Sequence, residues 1–573
     1  MKLILHSIAQ ARTGTGKTVG FLLPTIQNIL TKNPELAQRQ RYTKARSSDI
    51  RAIIISPTRE LAMQIATEAE KLCRNTDLVV QLAVGGTGKR LMLHQMQRQG
   101  CHLLVATPGR LNDLLTDQYS RVSAPQLTTL VLDEADRLLE GGFADDIQDI
   151  IDLLPNREEV DRQTLLFSAT VPREVMQLVR RTLKPNFHFV QTVKQGELAT
   201  HEKVPQKVVV CNGYENFMPA LLELAKREIQ KHERGEGPPF KAIVYFNSTA
   251  NVVLGAEIFR NLQEENAKGL YGRHPLYPAE ILEIHSQLTQ EGRTRTTNKF
   301  RACQSGFLFS TDVSARGMDF PNVSHVIQIG FPGSRDQYIH RVGRTGRGDK
   351  EGIAYLLITG QEVKQARMKL RGLPLDADKT IEAGSLDMTS DAQLPASLAA
   401  TLTQIGNATK MVGRGIKEKA YLGALGGLSD PPTGILMLNQ WVRYGWGWEV
   451  PPPIGHTLAR RLRIQNVPGV NIDSGRARSE PGNSTTGFDN GRSDAFGAGR
   501  GGFGGRSGGG RGGFGDRSGH RSGERGFGGD RRERSFGVDR GGSGGRGGGY
   551  GDRDGGRSSG FESDKGERRN NLY

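Results

Sequence analysis

Short apolar runs of three to five residues recur along the first 360 positions: Ala52 to Ile55, Leu103 to Ala106, Leu130 to Leu132, Leu165 to Phe167, Ile243 to Phe246, Phe307 to Phe309, Val326 to Ile329 and Ala354 to Ile358. Runs so short and so apolar suit strands buried on both faces. Helical patterns such as Arg59 to Arg74 and Arg173 to Leu183 lie between them. Parallel strands need crossovers of that kind, so the alternation predicts an α/β fold in which helices cover parallel sheets. Ligands bind such sheets beyond the carboxyl ends of the strands. Polar clusters follow several runs at once: Ser56 to Glu60, Thr107 to Arg110, Asp133 to Asp136, Ser168 to Thr170, and Thr311-Asp312. They are expected to share one functional edge.

At 573 residues the chain is too long for one ordinary core. A break near Lys194 to Pro205 separates two strand-bearing halves, and the second ends around Thr359. Residues 361–473 read as helical and strand-poor, with periodic apolar positions from Leu394 to Leu425. From Ser474 onward Gly is about a third of the sequence and aliphatic residues nearly vanish, so too little apolar surface can be buried to offset ordering. The expected units are therefore 1–198, 203–360, a helical extension over 361–473, and a disordered tail over 474–573.

Lys and Arg number 77 against 61 Asp and Glu, a net charge of +16 that favours a polyanionic partner. Nucleic acid comes first. An acidic membrane comes second, but no apolar stretch approaches the roughly 18 to 20 residues of a spanning helix, so no membrane partner is expected. Cys73, Cys101, Cys211 and Cys303 lack the spacing of a zinc site or a disulfide framework and read as buried free thiols in a reducing compartment. Met1 to Gln10 reads as neither a transit peptide nor a secretory signal.

Three motifs carry chemistry. In Ala11 to Thr18 the backbone of Thr13, Gly14, Thr15 and Gly16 can wrap phosphates, Lys17 supplies a point charge, and the Thr18 hydroxyl can bind Mg²⁺. Ala11 stands where the general pattern has its first Gly, and the competing reading is a Gly-rich turn with a chance Lys-Thr. Asp133 ends an apolar run, where an acid conventionally holds Mg²⁺, and Glu134 can orient or deprotonate a water. A bland solvated acid pair would not follow so apolar a strand. Arg341, Arg344 and Arg347 are spaced three apart, and Gly343 and Gly346 permit close approach. They can act as arginine fingers on a γ-phosphate, or, for Arg341 especially, grip RNA phosphates.

With these segments assembled, residues 11 to about 360 resemble the two RecA-like lobes of the DEAD-box ATP-dependent RNA helicases of superfamily 2. The resemblance rests on ARTGTGKT, PTRELA (Pro57 to Ala62), Gly85-Gly86, Thr107 to Arg110, Asp133 to Asp136, Ser168 to Thr170, Gln290 with Arg293, Ser310 to Asp319, and His340 to Arg347, in family order. It implies ATP and Mg²⁺ at Lys17, Thr18 and Asp133, Glu134 as catalytic base, Arg344 and Arg347 as fingers, and Asp319 on the ribose. It also implies coupling of hydrolysis to strand separation through Ser168 and Thr170. RNA contacts are implied at Pro57, Arg59, Gly86, Thr107, Arg110, Arg293, Thr311, Arg316 and Arg341, mainly to sugar and phosphate. Family members carry an adenine-reading Q motif further upstream than the ten residues here allow. The chain is thus expected to be N-terminally incomplete, and a catalytically impaired RNA-binding protein is the alternative function. A DNA-unwinding motor is disfavoured by the motif set.

The extension and tail look most like those of the fungal mitochondrial DEAD-box RNA chaperones that assist intron splicing. That resemblance implies a monomer in the mitochondrial matrix, with the nucleus, nucleolus or cytoplasm as alternatives. In the tail, Arg-Gly-Gly repeats at Arg500, Arg511, Arg540 and Arg546 with Phe503, Phe514, Phe527, Phe536 and Tyr550 between them read as a non-specific RNA tether. Interleaved acids such as Asp516 and Asp530 leave a solubilising linker as the competing reading. Trp441, Trp446 and Trp448 read as packing anchors and are assigned no site.

Overall fold

The computed structural model describes residues 6–11, 15–39, 45–140, 142–156, 159–192, 204–264, 274–312, 318, 320–347, 350–390 and 393–473. The tail from Ser474, and Thr13, Gly14, Arg316 and Asp319, lie outside them.

Two seven-stranded parallel sheets follow one another along the chain. The first contains β1 (Ser7–Gln10), β2 (Ala52–Ile55), β3 (Val80–Ala83), β4 (Leu103–Ala106), β5 (Thr129–Leu132), β6 (Gln163–Ser168) and β7 (His188–Gln191). Their spatial order is β3-β4-β2-β5-β6-β1-β7. The second contains β8 (Gln206–Cys211), β9 (Lys241–Phe246), β10 (Glu280–Ile284), β11 (Gly306–Ser310), β12 (His325–Ile329), β13 (Ile353–Thr359) and β14 (Leu375–Ala377), in the order β10-β11-β9-β12-β13-β8-β14. Adding seven to each number of the first order gives the second, so the two halves repeat one topology.

All eight apolar runs are strands, and the central ones are buried at every residue. Alternation then feeds opposite faces: Ile53, Ile55 and Leu104 join one apolar cluster, while Ala52, Ile54 and Leu103 join another. The helix Arg59–Leu72 begins where the Thr58 hydroxyl accepts the Leu61 amide at 3.3 Å. It buries Leu61, Ala62, Ile65, Ala66 and Ala69, a stripe at helical spacing.

The extension does not keep a core to itself. Ile405 and Ala408 from the helix Ala396–Met411, Tyr421 and Leu425 from Arg414–Leu425, and Trp441 belong to one cluster with Leu221 and Phe259 of the second sheet's cover and Phe307 of β11. β14, also from beyond residue 360, pairs parallel with β8 and lengthens the second sheet. Among the described residues no helix is long and apolar enough to cross a membrane.

Candidate nucleotide and RNA site between the lobes

The first lobe supplies an anion pocket. β1 delivers the phosphate loop beside β6, where the Ala11 amide donates to the Ser168 carbonyl at 3.0 Å. Gly16, at φ 84°, turns the chain into the helix Lys17–Lys32, whose N-terminus has no side-chain cap and no acid in its first turn. The partial positive charge of that terminus is left for an anion. Lys17 Nζ is buried without a hydrogen-bond partner.

Asp133 follows β5 and is 3% exposed. Burial, and then the charge of Glu134, raise its pKa, while the Lys17 ammonium and the Glu134 amide work the other way. An orphaned ammonium and a nearby carboxylate whose charge burial disfavours both gain from phosphate oxygens and a divalent cation, so these residues fit a magnesium nucleotide. Glu134 has φ 49°, a left-handed conformation that disfavours its side chain. Such strain, about 1 to 3 kcal/mol, persists only where surroundings enforce it.

Asp136, 1% exposed, ties this turn to the end of β6. Its Oδ2 accepts from the Thr170 amide at 3.1 Å and the Thr170 hydroxyl at 2.8 Å, while its own amide donates to Ser168 Oγ at 3.2 Å. The same carboxylate reaches the other lobe, with His340 Nε2 3.7 Å away. Arg137 Nε donates to His340 Nδ1 at 2.6 Å, which leaves the ring proton on Nε2, facing Asp136. Asp136 stands three residues beyond Asp133, and His340 four before Arg344. The contact therefore brings the arginine segment of the second lobe onto the acidic turn of the first. Arg344, 3% exposed, donates to the carbonyls of His340 at 3.2 Å and Met318 at 3.1 Å, and Arg347 donates to Gly343 at 3.1 Å.

Along the other strand ends, Arg59 lies against Gly86, whose φ of 80° and lack of a Cβ make room for the guanidinium. Pro57 and Thr107 are half-buried, Arg110 donates to the Thr87 carbonyl at 3.0 Å, and Thr311 is buried. Two residues expected to contact RNA are engaged by protein side chains. Arg341, 1% exposed, binds both oxygens of Asp312 at 2.9 and 2.7 Å and Asn247 at 3.0 Å, over the Tyr245 ring. Its donors are turned inward, onto protein acceptors. Arg293, 4% exposed, reaches across the lobes to Glu60 at 2.6 Å, beside Gln290 at 3.3 Å from the same carboxylate. It is a clamp between lobes.

Family profiles agree with this geometry. One described as DEAD/DEAH box helicase matches residues 2–178, and one described as helicase conserved C-terminal domain matches 222–349. The chain is 51% identical over 481 residues to the mitochondrial ATP-dependent RNA helicase mss116 of Aspergillus fumigatus, covering 82% of this chain and 72% of the relative. It belongs to the DEAD-box family of ATP-dependent RNA helicases. The helicase is also 47% identical over 466 residues to the mitochondrial cyt-19 of Neurospora crassa, covering 80% and 72% of the two chains. A solved structure of Mss116p bound to ssRNA and AMP-PNP matches it with TM-score 0.66 and 27% identity, over 82% of this chain and 89% of that one.

Sequence reasoning missed the residues that join the lobes. Asp136, His340 and Glu60 sit inside motifs already singled out and Arg137 directly follows one, but only folding shows that they face the opposite half. The signal available was weak: four polar side chains beside glycines and apolar strands, with nothing local to pair them.

Proposed function

We propose that this ATP-dependent RNA helicase works as a monomer in the mitochondrial matrix, remodelling single strands and short duplexes during intron splicing and RNA processing. The names of its fungal relatives support the compartment. The observation that carries the mechanism is the Asp136 carboxylate, which touches both the Ser168–Thr170 turn and His340 of the other lobe.

In this reading the backbone of Thr13, Gly14, Thr15 and Gly16 and the Lys17 ammonium hold the ATP phosphates, and Asp319 holds the ribose. Thr18 and Asp133 would hold Mg²⁺, which would supply positive charge to the phosphate oxygens. Glu134 orients the attacking water and takes its proton as the water oxygen bonds to the γ-phosphorus and ADP departs. Arg344 and Arg347 stabilise the charge on the transferring group, a role worth about 10³ to 10⁵ in rate. Pro57, Arg59, Gly86, Thr107, Arg110, Thr311 and Arg316 grip RNA, while Arg293 and Arg341 hold the gripping surface in shape. Closure on ATP and RNA stabilises the joined lobes, and hydrolysis followed by product loss releases them.

The test is ATP turnover with and without single-stranded RNA, in the wild type and in Glu134→Gln. Stimulation by RNA, abolished in the variant while ATP still binds, is the expected result. Equal turnover in both proteins would remove the mechanism, and a passive RNA-binding protein would then be the better description.

A further inference from the structure

Away from the nucleotide, a cavity of about 290 Å³ opens where the second lobe meets the extension. The start of the helix Phe217–Glu233 forms one wall, the helix Ala396–Met411 a second, and the segment from Trp441 to Trp446 a third. Two polar atoms in these walls have no hydrogen-bond partner: Glu215 Oε2 and the indole Nε1 of Trp446. Both residues are more than nine-tenths buried, at 8% and 6% exposure. Neither carries a role in the nucleotide site.

The arrangement is built in locally. The Glu215 carboxylate folds back over Gly213, where any side chain would collide with it, so the missing Cβ sets its direction. Burial raises the Glu215 pKa, a hydrogen bond from its own backbone amide opposes that shift, and the Asp387 carboxylate adds to it. No Lys, Arg or His is among the described residues lining the cavity. The rings of Trp441 and Trp446, centroids 4.7 Å apart, and Tyr444 supply aromatic surface. The guanidinium of Arg443 already lies over Tyr444 at 5.7 Å, so such a face accepts one.

An acid without a cation, a donor without an acceptor, and aromatic surface together describe the missing ligand. A free amine would satisfy Glu215 but offer nothing to the indole N–H. A planar guanidinium stacks on rings and pairs with carboxylates, and the backbone beside it presents a carbonyl. We propose that the cavity docks an arginine of a partner protein, its guanidinium between Glu215 and Asp387 and a neighbouring peptide carbonyl on the Trp446 indole. Because lobe and extension each build part of the cavity, an occupant would brace one against the other.

The test titrates a fluorescein-labelled Ala-Ala-Arg-Ala-Ala peptide, unlike the chain's own Arg-Gly-Gly repeats, into the full chain and follows polarisation, beside a peptide with Lys in place of Arg. Saturable binding of the Arg peptide is expected, weaker by about tenfold or more in Glu215→Gln, since a charge-assisted hydrogen bond is lost. RNA-stimulated ATP turnover should stay at the wild-type level in that variant, which reports an intact fold. Should Glu215→Gln fail to fold, Asp387→Asn on the exposed rim carries the same test, with a loss of about threefold expected from a solvated charge. No saturable binding, equal affinity for the Arg and Lys peptides, or unchanged affinity in the variants would overturn the proposal.

Discussion

Arg341 shows how a motif residue can act through shape. Its guanidinium pins the Thr311-Asp312 turn to the helix Arg335–Val342, with both partners out of water. Breaking a buried pair leaves the surviving charge stranded, which costs about 3 to 5 kcal/mol. Arg341→Ala should therefore lower the urea-unfolding free energy of the second lobe by that amount. Wild-type stability with weakened RNA binding would restore the phosphate-gripping reading instead. Glu228 makes a pH-dependent contribution. Burial opposes its charge, yet His325 at 3.6 Å and Lys231 at 2.8 Å outweigh that and lower its pKa to about 2 from 4.5. A depressed carboxylate stabilises the fold above its unfolded pKa and ceases to do so as pH falls through the folded one. Acid unfolding should thus steepen between about pH 4.5 and 2, and Glu228→Gln should flatten that interval. An unchanged acid-unfolding curve would refute the pairing.

Strands and helices were legible where burial was complete and obscure where it was partial. The eight apolar runs are all strands because interior strands of a covered parallel sheet have no face for polar residues. The strands that escaped notice include those at the edges: β3 and β7 in the first sheet, β10 and β14 in the second. β7 is exposed along its length, and β10 carries Glu280 and Glu283. Water tolerates polar side chains there, so the apolar signal fades. The site was readable in the same graded way. Phosphate and metal groups lie in contiguous motifs, whereas the Glu60–Arg293 clamp spans 233 positions and exists only after folding. In the extension, helical periodicity gave the elements but not their destination in the second lobe's core. Leu425→Ala should cost about 2 to 5 kcal/mol, read as a loss of stability of the second lobe. A change confined to the extension, by hydrogen exchange, would count against the shared core.

At the scale of the molecule, the contacts that join the lobes among the described residues include Asp136 and Arg137 with His340, and Glu60 with Arg293 and Gln290. Glu60→Gln should weaken the second by removing its charge and leaving Arg293 buried, so ATP-dependent RNA affinity should fall about tenfold while ATP binding to the first lobe is retained. Donor–acceptor dyes on the two lobes would report fewer closed molecules; an unaltered closed fraction would sink the clamp. The repeated strand order carries a further consequence. In the first sheet the turn after β5 holds Asp133-Glu134, whereas the corresponding turn after β12 reads Gly330-Phe331-Pro332 and holds no acid. The twins therefore differ at matching edges: the paired acids stand on one copy alone, so the duplicated architecture offers that chemistry once.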